Sequence, residues 1–289
     1  MQSRHAFIKK MTTTNAINHT QATLDKVPPI AGAVMDLLRS LDDDNLDAAH
    51  LAKKIGRDPV LSARVLKIVN SPFYGVAGQV ASLQEAVMVL GFSNVRRLAL
   101  AVSLNGSFPV RGQGEADPRR IWRHSFCVAL CAQALAPLCR IEAESSFTAG
   151  LLHDIGRIAL LSVDPQRFAA VLADRAQYPD LSAAEAALLG FTHAEFGARL
   201  LERWRLPNIL IRAVEFHHLP DTAPTSPLTD LIYLADQLAH AIADNKLESA
   251  VSTDTPNNAV IRLGLTRVQS IEALVPVPAQ IEALAAVLN

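Results

Sequence analysis

Charge of one sign, cysteine, aromatic side chains and long apolar runs are all scarce in this 289-residue chain. Lys and Arg number 27 against 28 Asp and Glu, a net charge of −1, so the electrostatic footprint of a nucleic-acid binder is missing and no nucleic-acid partner is expected. The basic pairs Arg96-Arg97 and Arg119-Arg120 are balanced by acidic residues elsewhere. Three cysteines make an odd set with no disulfide framework, which points to a reducing compartment. All three, Cys127, Cys131 and Cys139, fall on what reads as a single helix. Cys127 and Cys131 share one face among Phe126, Val128, Ala129 and Leu130, which suits small buried thiols. The most apolar stretch, Ser125 to Leu138, is interrupted by Gln133 and is too short to cross a bilayer, so no membrane partner is expected. The basic opening residues lack the apolar centre of a secretory signal, and the expected location is cytoplasmic.

What is present is apolar residue in quantity, half of the chain, with 19% charged residues, enough for a substantial core. The first twenty or so residues lack periodicity and read as a flexible arm, residues 1–22. From Pro28 onward the pattern is helical. Val34, Leu37, Leu38 and Leu41 make the i, i+3, i+4, i+7 stripe of an amphipathic helix over Ala31 to Leu41, and Leu46 to Ile55 repeats it. Asp58-Pro59 is an N-cap followed by a proline at the first helical position. Ser82…Glu85, Ser182…Glu185 and Thr192…Glu195 fit capping boxes, which accounts for those glutamates without a catalytic role. Ser93 reads as the opening of the next helix. Residues 23–109 thus form a first helical lobe, and the glycine-bearing stretch 110–118 is a connecting loop. Residues 119–245 form a second lobe. Its helices are expected at Arg119 to Leu138, Glu142 to Val163, Pro165 to Gln177, Ala183 to Leu189, His193 to Trp204, Pro207 to His217 and Pro227 to Ala243. Residues 246–289 read as a polar linker and a short helical tail. No alternating strand pattern occurs, so the fold class is all-α.

Six of the nine histidines sit in the second lobe, and two aspartates join five of them in the order His124, His153-Asp154, His193, His217-His218, Asp236. Imidazole and carboxylate together suit a borderline to hard divalent ion such as iron, manganese or zinc. Such an ion acidifies water and polarises a phosphoryl group. Each histidine taken singly is also consistent with a hydrogen-bonded core residue, and His217-His218 with a helix C-terminus.

Several segments resemble the HDOD domain. They are Val27-Pro28-Pro29, Ile55-Gly56-Arg57-Asp58-Pro59, Val69-Asn70-Ser71-Pro72-Phe73-Tyr74-Gly75, Ser82 to Val87 and Leu90-Gly91-Phe92. The likeness continues at Trp122-Arg123-His124-Ser125, Ala149 to Arg157 with its His153-Asp154-Ile155-Gly156 core, and His193-Ala194-Glu195-Phe196-Gly197. It covers roughly Leu24 to Asp244. The resemblance implies an N-terminal helical bundle packed on a lobe akin to the HD superfamily of metal-dependent phosphohydrolases. It also implies a bacterial signalling role exercised mainly through another signalling protein. The His…His-Asp…Asp pattern of that superfamily is intact at His124, His153, Asp154 and Asp236. The alternative it implies is a metal-dependent phosphohydrolase acting on a nucleotide or other phosphoester. In that reading Asp154 and Arg157 are catalytic candidates, Arg123 a further charge stabiliser, and His193, His217 and His218 complete a second site or bind phosphate. The plainer reading of both arginines is a solvated helix face. Cyclic di-GMP hydrolysis is not expected. The additional histidines resemble those of the HD-GYP branch, which hydrolyses cyclic di-GMP, but Leu219-Pro220-Asp221 stands where that branch carries Gly-Tyr-Pro, Arg120 lies where a third metal would need a carboxylate, and Arg157 replaces a common lysine.

Overall fold

The computed structural model describes residues 20–288 except 31, 40–46, 72–73, 77–78, 109–111, 113, 223–225, 245 and 248–257. Residues 1–19 of the expected arm, Leu41 and Leu46, Pro72-Phe73 and residues 248–257 of the polar stretch lie outside the described residues, while residues 20–22 of the arm are helical. Among the described residues every regular element is helical.

A helical turn over residues 20–24 precedes α1 (Gly32–Arg39), α2 (Ala48–Gly56), α3 (Pro59–Val69), α4 (Leu83–Leu90) and α5 (Phe92–Ser107). Asp58 caps α3 by accepting from the amides of Val60 and Leu61, and Ser82 caps α4 by accepting from that of Glu85. Glu85 completes its side of the box on the amide of Ala81 rather than Ser82. The fifth helix begins one residue before the expected Ser93. Gly91 supplies the turn at φ 83°, a conformation open to glycine.

The next set is α6 (Pro118–Leu135), α7 (Ala143–Leu152), α8 (Ile155–Val163), α9 (Pro165–Asp174), α10 (Leu181–Leu188), α11 (His193–Arg203), α12 (Asn208–Glu215) and α13 (Pro227–Ala243). Helix α6 is apolar almost all round, from Ile121 and Trp122 to Leu135, because it lies between α7, α13 and the C-terminal helix. It ends at Leu135, and Cys139 sits in a following 3-10 turn, so the three cysteines do not share one helix. Cys127 and Cys131 are buried as expected, and Cys139 is half-buried.

One expected element is two. The apolar run Glu142 to Val163 breaks at His153-Asp154 into α7 and α8. Asp154 takes the N-cap position of α8 but makes no side-chain cap bond, because its carboxylate is turned toward other partners. Two glycines fix the neighbours of this break. A Cβ on Gly150 would stand 2.7 Å from Ala129 Cα, so α7 lies directly against α6. A Cβ on Gly156 would stand 2.0 Å from the His193 carbonyl oxygen and 2.9 Å from the Gly197 amide nitrogen, so α8 and α11 touch backbone to backbone. His193 is thereby brought beside Asp154.

The tail is three helices, α14 (Asn258–Leu263), α15 (Arg267–Leu274) and α16 (Val277–Leu288). Helix α14 packs on α13, where Arg262 grips Asp230, and α16 packs on both α6 and α3. One continuous apolar core runs from Leu24 to Ile281. Across it, α5 meets α7 through the buried Arg96–Glu144 ion pair. No helix among the described residues is long and apolar enough to cross a membrane.

Candidate metal centre

The helix break, the α8–α11 contact and the C-terminal end of α12 bring all seven expected ligand residues into one cluster, and they add an eighth. Asp154 lies at its middle with its two oxygens facing different histidines. Oδ1 is 3.3 Å from His193 Nε2 and 4.0 Å from His217 Nε2. Oδ2 is 3.7 Å from His153 Nε2 and accepts a hydrogen bond from Arg157 Nη1 at 2.6 Å. Asp236, on α13, faces the other side of the cluster. Its Oδ1 is 2.9 Å from His124 Nε2, 3.4 Å from His240 Nε2 and 4.0 Å from His153 Nε2, and its Oδ2 is 3.9 Å from His218 Nδ1. His193 Nε2 and His218 Nε2 are 3.1 Å apart.

These spacings suit shared ions. Bonds of roughly 2.0–2.2 Å to nitrogen and oxygen put two ligands of one ion about 3 to 3.5 Å apart. Among the described residues three groups have ligand atoms close enough to share an ion: His193, His217 and His218; His124, His153 and Asp154; and His124, Asp236 and His240, the last two sharing His124.

The outer hydrogen bonds set the imidazoles in the form that binds metal. His153 Nδ1 donates to the Gly150 carbonyl at 2.7 Å, and His217 Nδ1 donates to that of Val214 at 2.7 Å. A carbonyl only accepts, so both rings carry their proton on Nδ1 and present a bare Nε2 to the cluster. His193 Nδ1 is held by Glu185 Oε2 at 2.6 Å, and the same oxygen accepts from the His193 amide at 2.8 Å. His217 Nε2 is buried with no hydrogen-bond partner among the described residues. A bare imidazole nitrogen 4.0 Å from Asp154, on a ring packed against three further histidines, fits a metal ion.

Both carboxylates are held in their charged form. Burial opposes the charge on Asp154, yet Arg157 and the surrounding imidazoles hold its carboxyl well below the usual carboxylate range. Asp236 is lowered likewise, with the His124 hydrogen bond overcoming burial. Burial pushes His217 well down and His153 down, and burial with the His193 charge brings His218 to about 4, so all three are neutral at pH 7. Burial also works against His124 and His193, but Asp236 and Glu185 respectively outweigh it and raise them.

Two residues of the cluster were not in the expected set. His240 is one helical turn from Asp236 on α13, a spacing visible in the sequence. Glu185 fits the far half of a capping box in the sequence, but the cap of α10 is Asp180, and Glu185 is fully buried on His193. Thr192…Glu195, by contrast, forms both halves of its box. Arg157 is not on a solvated face, being paired with Asp154. Arg123 is half-exposed and pairs with Glu282 of α16.

Comparison with known proteins agrees with this architecture. A solved structure of a candidate phosphohydrolase from Shewanella amazonensis shares 28% identity at a TM-score of 0.78, covering 94% of this chain and 98% of that one. An HDOD domain protein of unknown function from Geobacter sulfurreducens has the same fold, at 24% identity and a TM-score of 0.77, covering 96% and 97%. An uncharacterised Treponema pallidum protein is 26% identical over 220 residues, 74% of this chain and 42% of its own length. An uncharacterised Bacillus subtilis protein, YuxH, is 27% identical over 101 residues, 35% of this chain and 24% of its own. The chain thus spans less than half the length of these curated relatives. The HDOD domain itself matches residues 27–220, two thirds of the sequence, and the chain belongs to the HDOD family.

Proposed function

We propose that this HDOD protein is a metal-dependent phosphohydrolase-type module, holding divalent iron, manganese or zinc between its two aspartates and acting on a small phosphoester. The observation that supports this best is the bare, buried Nε2 of His217 facing Asp154, beside a His153 ring that likewise carries its proton on Nδ1. His193, His217, His218 and Asp154 would hold one ion, and His124, His153, Asp154 and Asp236 would hold another. The chemistry such ions supply is polarisation of a phosphoryl oxygen and acidification of water. The chain's own residues do the rest. Glu185 orients His193, and Arg157 offsets the charge of Asp154. The candidate phosphohydrolase of Shewanella amazonensis, similar over nearly its whole length, is consistent with this reading.

The test is hydrolysis of bis(4-nitrophenyl) phosphate and 4-nitrophenyl phosphate by the manganese-loaded protein beside His153→Ala, with both checked for folding by circular dichroism. Turnover that His153→Ala abolishes supports the reading, and equal rates in a folded variant contradict it.

A second reading, a regulator that works by binding another signalling protein, is favoured by a different feature. Val60 on α3 and Met88 and Val89 on the adjoining α4 are exposed apolar residues, Met88 at 78%. The two readings are compatible if the partner reads the state of the metal centre.

A further inference from the structure

A cavity of about 820 Å³ opens beside the metal cluster, with His124, His240 and Arg157 at its floor. One wall is the outer face of α6 with Arg120 and Arg123, and Arg175 stands at the rim. The opposite wall is the start of α16, with Pro278, Ala279, Ile281 and Glu282. Four arginines and two histidines therefore line a space in which Glu282 is the one acidic residue among the described lining. The volume lies within the roughly 300–1,000 Å³ of small-molecule sites and has room for a ligand of nucleotide size.

Glu282 reaches across this space to Arg123 Nη2. Both side chains are largely exposed, 48% for Arg123 and 70% for Glu282, and an ion pair in that setting holds weakly. A guanidinium accepts phosphate in the same forked geometry as carboxylate. Helix α16, which carries Glu282, lies beyond the family-matched residues and touches both α6 and α3.

We infer that the cavity between the metal cluster and α16 is the binding site of a phosphorylated small molecule, and that Glu282 occupies the ligand's anion seat on Arg123 until that ligand displaces it. This deepens the phosphohydrolase reading, on which it rests for the choice of phosphate over other anions. The cationic wall attracts the ligand, the cluster at the floor receives one phosphoryl group, and a second anionic group or the same phosphate takes Arg123. Loss of the Glu282 contact loosens α16 from α6. Because α16 also rests on α3, occupancy of the cavity is felt in the N-terminal helices.

The test uses the full chain, stripped of metal by dialysis against EDTA, with inorganic pyrophosphate as probe and sulfate at equal ionic strength as control. Binding is read by titration calorimetry, and the exposure of α16 by hydrogen exchange over residues 277–288. Glu282→Gln is expected to bind pyrophosphate roughly threefold more tightly, since an exposed competing pair is removed. Arg123→Gln is expected to bind about tenfold more weakly, the loss of a charge-assisted contact. Pyrophosphate, but not sulfate, is expected to speed exchange in α16 of the wild type, with little further effect in Glu282→Gln, where the Arg123 contact is already lost. Unchanged affinity in a folded Glu282→Gln, or unchanged exchange on saturation, overturns the inference. Should Arg123→Gln fail to fold, Glu282→Gln and the exchange data decide alone. Since metal is absent from the titration, failure of the metal-centre reading shows in the hydrolysis assay and not here.

Discussion

A single oxygen of Glu185 accepts from both the backbone amide and the ring Nδ1 of His193, at 2.8 and 2.6 Å, in the protein interior. Two bonds from one carboxylate fix where the helix starts and which way its first side chain faces. Glu185→Ala removes both. The expected result is a folded protein whose metal affinity at the His193 site falls about 10- to 100-fold, as for other outer partners of ligand histidines. Competition with a fluorescent chelator measures it, and an unchanged affinity would show that the bond is merely structural.

Gly156 permits the contact between α8 and α11 that sets His193 beside Asp154. Gly156→Ala puts a methyl into the His193 carbonyl, and the backbones cannot part without opening the cluster. A loss of about 3 kcal/mol is expected, the upper end for overpacking, together with weaker metal binding. Gly32→Ala meets nothing within 4 Å and serves as the control, neutral or slightly stabilising in thermal unfolding.

Much of this fold is legible in the sequence, and the exceptions share a cause. The stripe Val34-Leu37-Leu38, the Asp58-Pro59 cap and the helix Pro227 to Ala243 appear where local pattern puts them, because each depends on residues within one or two turns. The break at His153-Asp154 is not legible, since Leu151-Leu152 and Ile155 continue an apolar helical pattern and only the docking of α11 stops it. The role of Glu185 is hidden in the sequence because Ser182 stands three residues before it, as in a capping box, while its partner His193 lies on another helix. The seven-residue ligand order was legible as a pattern, but His240 needed only the i+4 rule applied from Asp236. How α14 to α16 dock could not be read, because those contacts join distant parts of the chain.

Arg262 ties the tail to the body of the protein. Its Nε and Nη2 grip the buried Asp230 at 2.8 and 2.5 Å, and its Nη1 reaches Asp221 at 2.7 Å. Arg262→Ala leaves the Asp230 carboxylate buried without its cation, with an expected cost of roughly 2–3 kcal/mol. The double change Arg262→Met with Asp230→Leu is expected to recover most of that loss in urea unfolding. Failure to recover would mean that the pair specifies the docking rather than merely neutralising a charge.

His217 sets a pH dependence in the metal-free protein. Burial holds its pKa well below the ordinary 6.5 in the fold, so the unfolded chain takes up a proton that the native protein does not. Its stability contribution is full above about pH 6.5 and declines as pH falls, by about 1.4 kcal/mol per unit, until the native pKa is reached. His124 and His193 are raised and act in the opposite sense, so the comparison must be with a variant. The stability difference between wild type and His217→Gln is expected to shift against the wild type between pH 7 and pH 5. A difference constant with pH would contradict the assigned neutral ring.

The most direct test of the central claim is metal content. The untagged protein, purified without chelators, is measured by inductively coupled plasma mass spectrometry beside Asp154→Ala. The account predicts close to two equivalents of iron, manganese or zinc in the wild type and loss of both in the variant, because Asp154 faces both groups of histidines. A folded wild type that holds no metal when dialysed against excess manganese, iron and zinc would contradict it.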